Sequence, residues 1–342
     1  MFFLGKIVAA VFAWGAYVVL RLAGWKRKTV LVNAMHVKIL PDYNLLLKNL
    51  TRHASELLFR FGTFKRLPAD FSKYPCCVDG WNFALDEAAI PVLEKMRNGG
   101  IFLTAHYGNY EAMGPWLCCL GIPLVASYIP VKPKWLNNIL ERKIRAVDGR
   151  SYSVDARTPR DFLRILNEGK LFCLLADQDS RIPSALPGTF LGRPANVNPL
   201  PDFLLKHRPQ TPVFICWMEE RRAFSGGAFS KGASPSERRK VRVLHAIEVP
   251  RQSQTRLSNV ASPAHSSSSI ANSAQSESAS PAHSSSSIAN SAQSASVFPA
   301  HSSPSIVNVQ FNKWLEERIA ENPNLWYGFT HRRFYSQSPT IY

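Results

Sequence analysis

A histidine, a carboxylate five residues on and a glycine between them are parts from which a proton-transfer site can be built. The chain carries them as His106-Tyr107-Gly108-Asn109-Tyr110-Glu111. An imidazole with one ring nitrogen bonded to a carboxylate has its tautomer fixed and presents the other nitrogen as a general base. On spacing, Glu111 is the carboxylate expected to orient His106. A second acidic group, Asp177-Gln178-Asp179, follows the apolar run Lys170–Ala176 and could line the same site.

These side chains need a frame, and the flanking sequence supplies one. Gly99-Gly100 precede the apolar run Ile101–Ala105, which reads as a short buried strand. Gly108 and Asn109 offer turn and N-cap chemistry, and Glu111, Met113, Trp116, Leu117 and Leu120 read as one face of a helix ending near Gly121-Ile122-Pro123. A strand–turn–helix junction puts His106 at the carboxyl end of a strand, the edge where open α/β sheets bind ligands. Strands are expected at Leu124–Ser127, Lys170–Ala176, Thr211–Trp217 and, as an edge, Val241–Val249. Helices are expected within Thr29–Phe64 (two, separated at Pro41), Asp86–Met96, Pro159–Leu166, Pro199–Lys206 and Phe311–Ile319. Pro68–Trp81 reads as a loop. The alternation implies an α/β class with a mixed sheet covered by helices.

The 342 residues carry a formal charge of +17 and 46% hydrophobic side chains, enough for a substantial core and a strongly basic surface. Nucleic acid, anionic lipid and an acidic protein all suit that charge. No recognition-helix, RNP or zinc-finger pattern accompanies it, so a basic, membrane-tethered nucleic-acid-binding protein rests on charge alone. Six cysteines without a C-x-x-C pair, and no H-E-x-x-H, argue against zinc and against a disulfide framework. Phe2–Gly24 is apolar except for Lys6 and Arg21, and its basic flank, Arg21 and Lys26–Lys28, lies after the run rather than before it. That is the charge order of an uncleaved anchor with a cytoplasmic body. Residues 1–28 are therefore expected to be a membrane helix, 29–256 and 306–342 the folded domain, and 257–305 an insertion. The insertion is rich in Ser and Ala, and its Pro-Ala-His-Ser unit recurs at Pro263, Pro281 and Pro299, a spacing of 18. Nothing in it can build a core, so it is expected to be disordered.

His106–Glu111 resembles the HxxxxE block of glycerolipid-type acyltransferases, in the H-[FY]-G-N-[WY]-E form of the late acyltransferases of lipid A synthesis (Kdo-lipid A lauroyl/myristoyl transferases). Further blocks follow in the family's order. Tyr128 begins a Y-R-P-like block in which Ile129 replaces the arginine, and Lys143-Ile144-Arg145 stands at R-x-R. Phe190-Leu-Gly-Arg193-Pro-Ala195 matches F-x-G-R-P-A, and Trp326 with His331-Arg332-Arg333-Phe334 resembles the closing W…H-R-R-[FW]. The resemblance implies a glycerolipid-acyltransferase-like fold. It also implies transfer of a fatty acyl chain from acyl-acyl carrier protein to a hydroxyl of a lipid A precursor at the cytoplasmic face of the inner membrane, with no metal or bound cofactor. His106 and Glu111 would be catalytic; Tyr107, Gly108, Asn109, Tyr128, Arg145, Asp177, Gln178 and Arg193 would bind substrate. The oxyanion would be met by amides near Gly108-Asn109 or by Arg193, and acceptor phosphates by Arg145, Arg193, Arg332 and Arg333. An acyl-CoA-dependent phosphatidylinositol mannoside or other glycolipid acyltransferase shares the HxxxxE block and is the alternative.

Overall fold

The computed structural model describes residues 2–128, 132–154, 158–222, 240–250 and 305–342. The expected insertion therefore lies outside the described residues, except for its last position, Ser305.

Three helices come first: α1 (Phe2–Leu22), α2 (Arg27–Val37) and α3 (Tyr43–Phe64), with Asp42 capping α3 through bonds from the amides of Asn44 and Leu45. Pro41 separates α2 from α3 as expected. Then follow β1 (Cys76–Val78), β2 (Trp81–Leu85), α4 (Ile90–Met96), β3 (Gly100–Thr104), α5 (Tyr110–Cys119), β4 (Leu124–Ser127), α6 (Lys134–Ile139), β5 (Ala146–Val147), β6 (Arg150–Ser151), β7 (Ser153–Val154), α7 (Pro159–Asn167) and β8 (Leu171–Leu175). The hairpin β9 (Leu186–Phe190) and β10 (Arg193–Val197), α8 (Leu200–His207), β11 (Val213–Arg222), β12 (Lys240–Glu248) and α9 (Ile306–Glu321) complete the order.

Eight strands form one mixed sheet in the order β1-β2-β12-β11-β3-β8-β4-β7. From β11 to β7 the neighbours are parallel, whereas β11–β12 and β1–β2 are antiparallel. The central β3 is buried at every position, Gly-Ile-Phe-Leu-Thr, as a strand covered on both faces requires. Its side chains alternate between two cores. Ile101 and Leu103 join a cluster with α2, α3, α8 and α9, while Phe102 points to the opposite one with α4 and α5. The α/β class with helices on both faces is thus the observed architecture.

Two expectations need correcting. Val241–Val249 was read as an edge because it alternates, yet β12 is interior, bonded to β11 on one side and β2 on the other. Its polar residues Arg242 and His245, on opposite faces of the strand, are buried against protein, Arg242 in an ion pair with Glu56 and His245 in a hydrogen bond with Asp86. Pro68–Trp81 is not only a loop, because it contains β1 and the start of β2. Asp79 (φ 53°) and Gly80 (φ 74°) turn between them with the left-handed pair that a two-residue hairpin needs.

Candidate active site

The register of two parallel strands builds the centre of the site. Thr104 of β3 pairs with Leu175 of β8, and the amide of Ala176 extends the ladder to the Thr104 carbonyl at 3.0 Å. His106 and Asp177 each lie two residues beyond that last pair, so they emerge side by side at the carboxyl edge. Asp177 Oδ1 lies 2.8 Å from His106 Nδ1, and its Oδ2 accepts from the His106 amide at 3.0 Å and from the Trp326 indole at 2.9 Å. Both carboxylate oxygens are thereby bonded in a wholly buried position. The Nδ1–H donates to Asp177, and Nε2 is left as the acceptor, 3.4 Å from the Gln178 amide nitrogen.

Charge follows geometry. Burial opposes a proton on His106, but the Asp177 carboxylate and its hydrogen bond outweigh it, with Glu111 adding to them, and the imidazole pKa is raised above 6.5. Burial would likewise raise Asp177; its bonds to His106 and Trp326 reverse that and hold it below the usual carboxylate value. His331, whose ring centroid is 5.7 Å from that of His106, is pushed down by burial and by the positive charge on His106. It does not compete for the proton.

The expected His106–Glu111 pair is therefore replaced by His106–Asp177. Glu111, in the first turn of α5, is turned to Arg145, with Oε1 2.8 Å from one terminal nitrogen and Oε2 3.4 Å from Nε. Arg145 in turn lies 5.4 Å from the centre of the Tyr128 ring.

His106, Glu111, Tyr128, Arg145 and Gln178 all line one cavity of about 430 Å³ that runs back between α5, β3, β8 and β4. Apolar side chains share the lining: Phe102, Met113, Leu124, Leu175 and the rings of Tyr110 and Tyr152. Cys173 is in this wall too, its thiol driven far up by burial and hence un-ionised. The cavity thus combines polar groups around His106 with apolar wall able to hold a hydrocarbon chain.

The remaining expected residues serve the frame. Tyr107 is buried with its hydroxyl donating to the Arg318 carbonyl. The Gly108 amide donates to the Leu325 carbonyl, so it does not face an oxyanion; the residue needs glycine, since φ is +59° and a Cβ would meet the Met218 carbonyl at 2.9 Å. Asn109 stands at the α5 N-cap without capping it, its amide donating instead to Glu56 at 2.9 Å. Arg193 lies outside the cavity lining and donates to the His36 carbonyl at 2.6 Å, which removes it as an oxyanion donor. Arg333 is fully buried, packed on Phe190 and bonded to the Asn196 carbonyl, so it cannot meet an acceptor phosphate; burial brings its pKa down to about 10.

Two positioning residues were not assigned from sequence. Trp326 carries the signal of its own closing block, but no spacing rule links it to Asp177. Glu56, buried beneath the motif turn and paired with Arg242 at 3.1 Å, looks in sequence like any helix-surface acid followed by leucines. No protein-family model matches the chain, and no curated protein matches it.

Proposed function

We propose that the protein is an O-acyltransferase that moves a fatty acyl chain from a thioester to a hydroxyl of a glycolipid. The observation that carries this reading is the His106–Asp177 pair presenting Nε2 to a cavity lined also by the Arg145 guanidinium and by apolar side chains. Nε2 takes the proton as the acceptor oxygen attacks the thioester carbonyl, and Asp177 stabilises the imidazolium that forms. On collapse the carbon–sulfur bond breaks and the same proton passes to the departing thiolate. Arg145, held by Glu111 and lining the cavity, has further N–H groups for the tetrahedral oxyanion. This puts Glu111 behind the oxyanion cation rather than behind the base.

The motif blocks favour acyl-acyl carrier protein as donor and a lipid A precursor as acceptor, with a glycerolipid-acyltransferase-like fold and an inner-membrane location. The basic surface suits both partners electrostatically. The test is transfer of a labelled acyl chain from acyl carrier protein to a lipid A precursor, run beside acyl-CoA with a phosphatidylinositol mannoside acceptor. Activity only with the second pair assigns the alternative glycolipid reaction, and activity with neither removes the proposal.

A further inference from the structure

The amino-terminal helix has length and composition enough to cross a bilayer: Gly5–Leu22 has a mean hydropathy of 1.5, and only 11% of it is buried. Its neighbours point to a different arrangement. α3 runs antiparallel along it, with the Tyr43 hydroxyl bonded to the Trp25 carbonyl at one end and the Phe12 and Phe59 rings 5.1 Å apart towards the other. Between them Lys48 reaches the Tyr17 ring. The amino-terminal end is held too, because Lys6 lies against Gly80 in the β1–β2 turn, beside a cavity lined by Arg52, Glu56, Glu220 and Arg242. Setting α1 along the membrane normal would carry α3 and this charged cluster into hydrocarbon, where each ionised side chain is costly.

Among the described residues, the face of α1 turned away from α3 has no partner. Val11, Trp14, Val19 and Leu22 are exposed on it, Trp14 to 69% and Leu22 to 83%. The exposed apolar side chains continue past the turn onto α2 with Leu31 and Met35, one helical turn apart, and then Leu40. Charge names the occupant. Residues 1–41 contain Lys6, Arg21, Lys26, Arg27, Lys28 and Lys38 and no carboxylate.

We propose that the protein seats on an anionic lipid surface with α1 lying in the plane of the bilayer, α1 and α2 together forming the lipid-facing surface. Trp14 sits at headgroup level, and Arg21, Lys26, Arg27 and Lys38 meet lipid phosphates. The amino terminus and the catalytic body then share one side of the membrane. This seating is independent of the transfer chemistry, so neither reading falls with the other.

The experiment uses the full chain with a protease-cleavable tag before Met1, bound to sealed phosphatidylglycerol-containing vesicles. The tag is expected to be cut by protease added on the side from which the body is accessible. A tag protected until the vesicles are lysed would overturn the proposal in favour of a spanning helix. In flotation, Leu31→Glu/Met35→Glu and replacement of phosphatidylglycerol by phosphatidylcholine are each expected to lower binding at least ~10-fold. Unchanged binding in both also overturns it, since a spanning α1 needs neither α2 nor anionic lipid. Because the substituted positions are exposed, circular dichroism should be unaltered. A lipid-indifferent dimer broken by the same substitutions would assign the face to a second copy instead.

Discussion

The base and its partner were visible in the sequence separately, but their pairing was not. His106 and Glu111 sit close in sequence, and proximity along the chain suggested a bond that strand geometry denies; Asp177, 71 residues away, is brought to Nδ1 by the β3–β8 register. His106→Ala should lower acyl transfer by ~10²–10⁴-fold with an unaltered circular dichroism spectrum, and a folded variant with near-normal transfer would falsify the general-base role. The two carboxylates separate in a pH–rate profile. The proposed reaction needs neutral His106, so the rate should rise with pH through a midpoint above 6.5, the raised position of the imidazole. Asp177→Asn removes the main raising cause, leaves burial in place, and should bring the midpoint down while slowing the reaction. Glu111→Gln removes only the smallest of the raising causes and releases Arg145; it should slow the reaction with a smaller displacement of the midpoint. The opposite ranking would return Glu111 to the imidazole. Stability carries the same signs. The contribution of His106 is full below its unfolded pKa and is lost as pH rises through the higher folded one, whereas that of Asp177 is present above its unfolded pKa and is lost as pH falls through the lower folded one.

Elements with a strong local signature were the ones legible in advance. β3, α5 and β8 have apolar runs, glycine exits or helical spacing, and they lie where those signals put them. β1 and β2 were hidden because Cys76–Val78 is too short to show a period, although Asp79-Gly80 is a hairpin signal on its own. The burial of Arg242 in β12 was hidden by a tertiary fact, since only the fold reveals that it faces Glu56 and stacks 3.6 Å from the Trp81 ring. The same limit applies to the cavity between α5 and β4. At Gly114 in α5 a Cβ would approach the Tyr152 hydroxyl to 2.3 Å, and both residues line that space. Gly114→Ala should therefore push the ring into the cavity and cut transfer of the longest chains more than that of short ones, read as kcat/KM across a series of acyl donors. A uniform loss for all chain lengths would mean that the acyl chain lies elsewhere. Trp326→Phe leaves one oxygen of a buried carboxylate without its indole donor and should lower unfolding free energy by ~1.5–3 kcal/mol, measured by urea denaturation.

At the scale of the whole molecule, the repeat divides a sheet-bearing part from α9 and the segment that follows it. Its composition offers no core, and the entropic cost of closing a loop grows only slowly with its length. Deleting one repeat unit, residues 263–280, should leave transfer and thermal stability nearly unchanged; a large loss would show that the repeat contributes to the fold. The boundary expected from sequence falls one residue late, because Ser305 caps α9 through the Asn308 amide and is bonded to Asp202. It was hidden by company, one serine among many. Beyond that boundary comes Trp326, and with it the second donor to Asp177 Oδ2. During translation, the histidine and its acid are both synthesised well before the indole that fastens the acid, with the whole repeat emerging between them. A nascent chain that already displays the H-x-x-x-x-E block and Asp177 thus still lacks the indole that is the second donor to Asp177 Oδ2. The full set of bonds around Asp177 is complete only once the segment after the repeat has left the ribosome and docked.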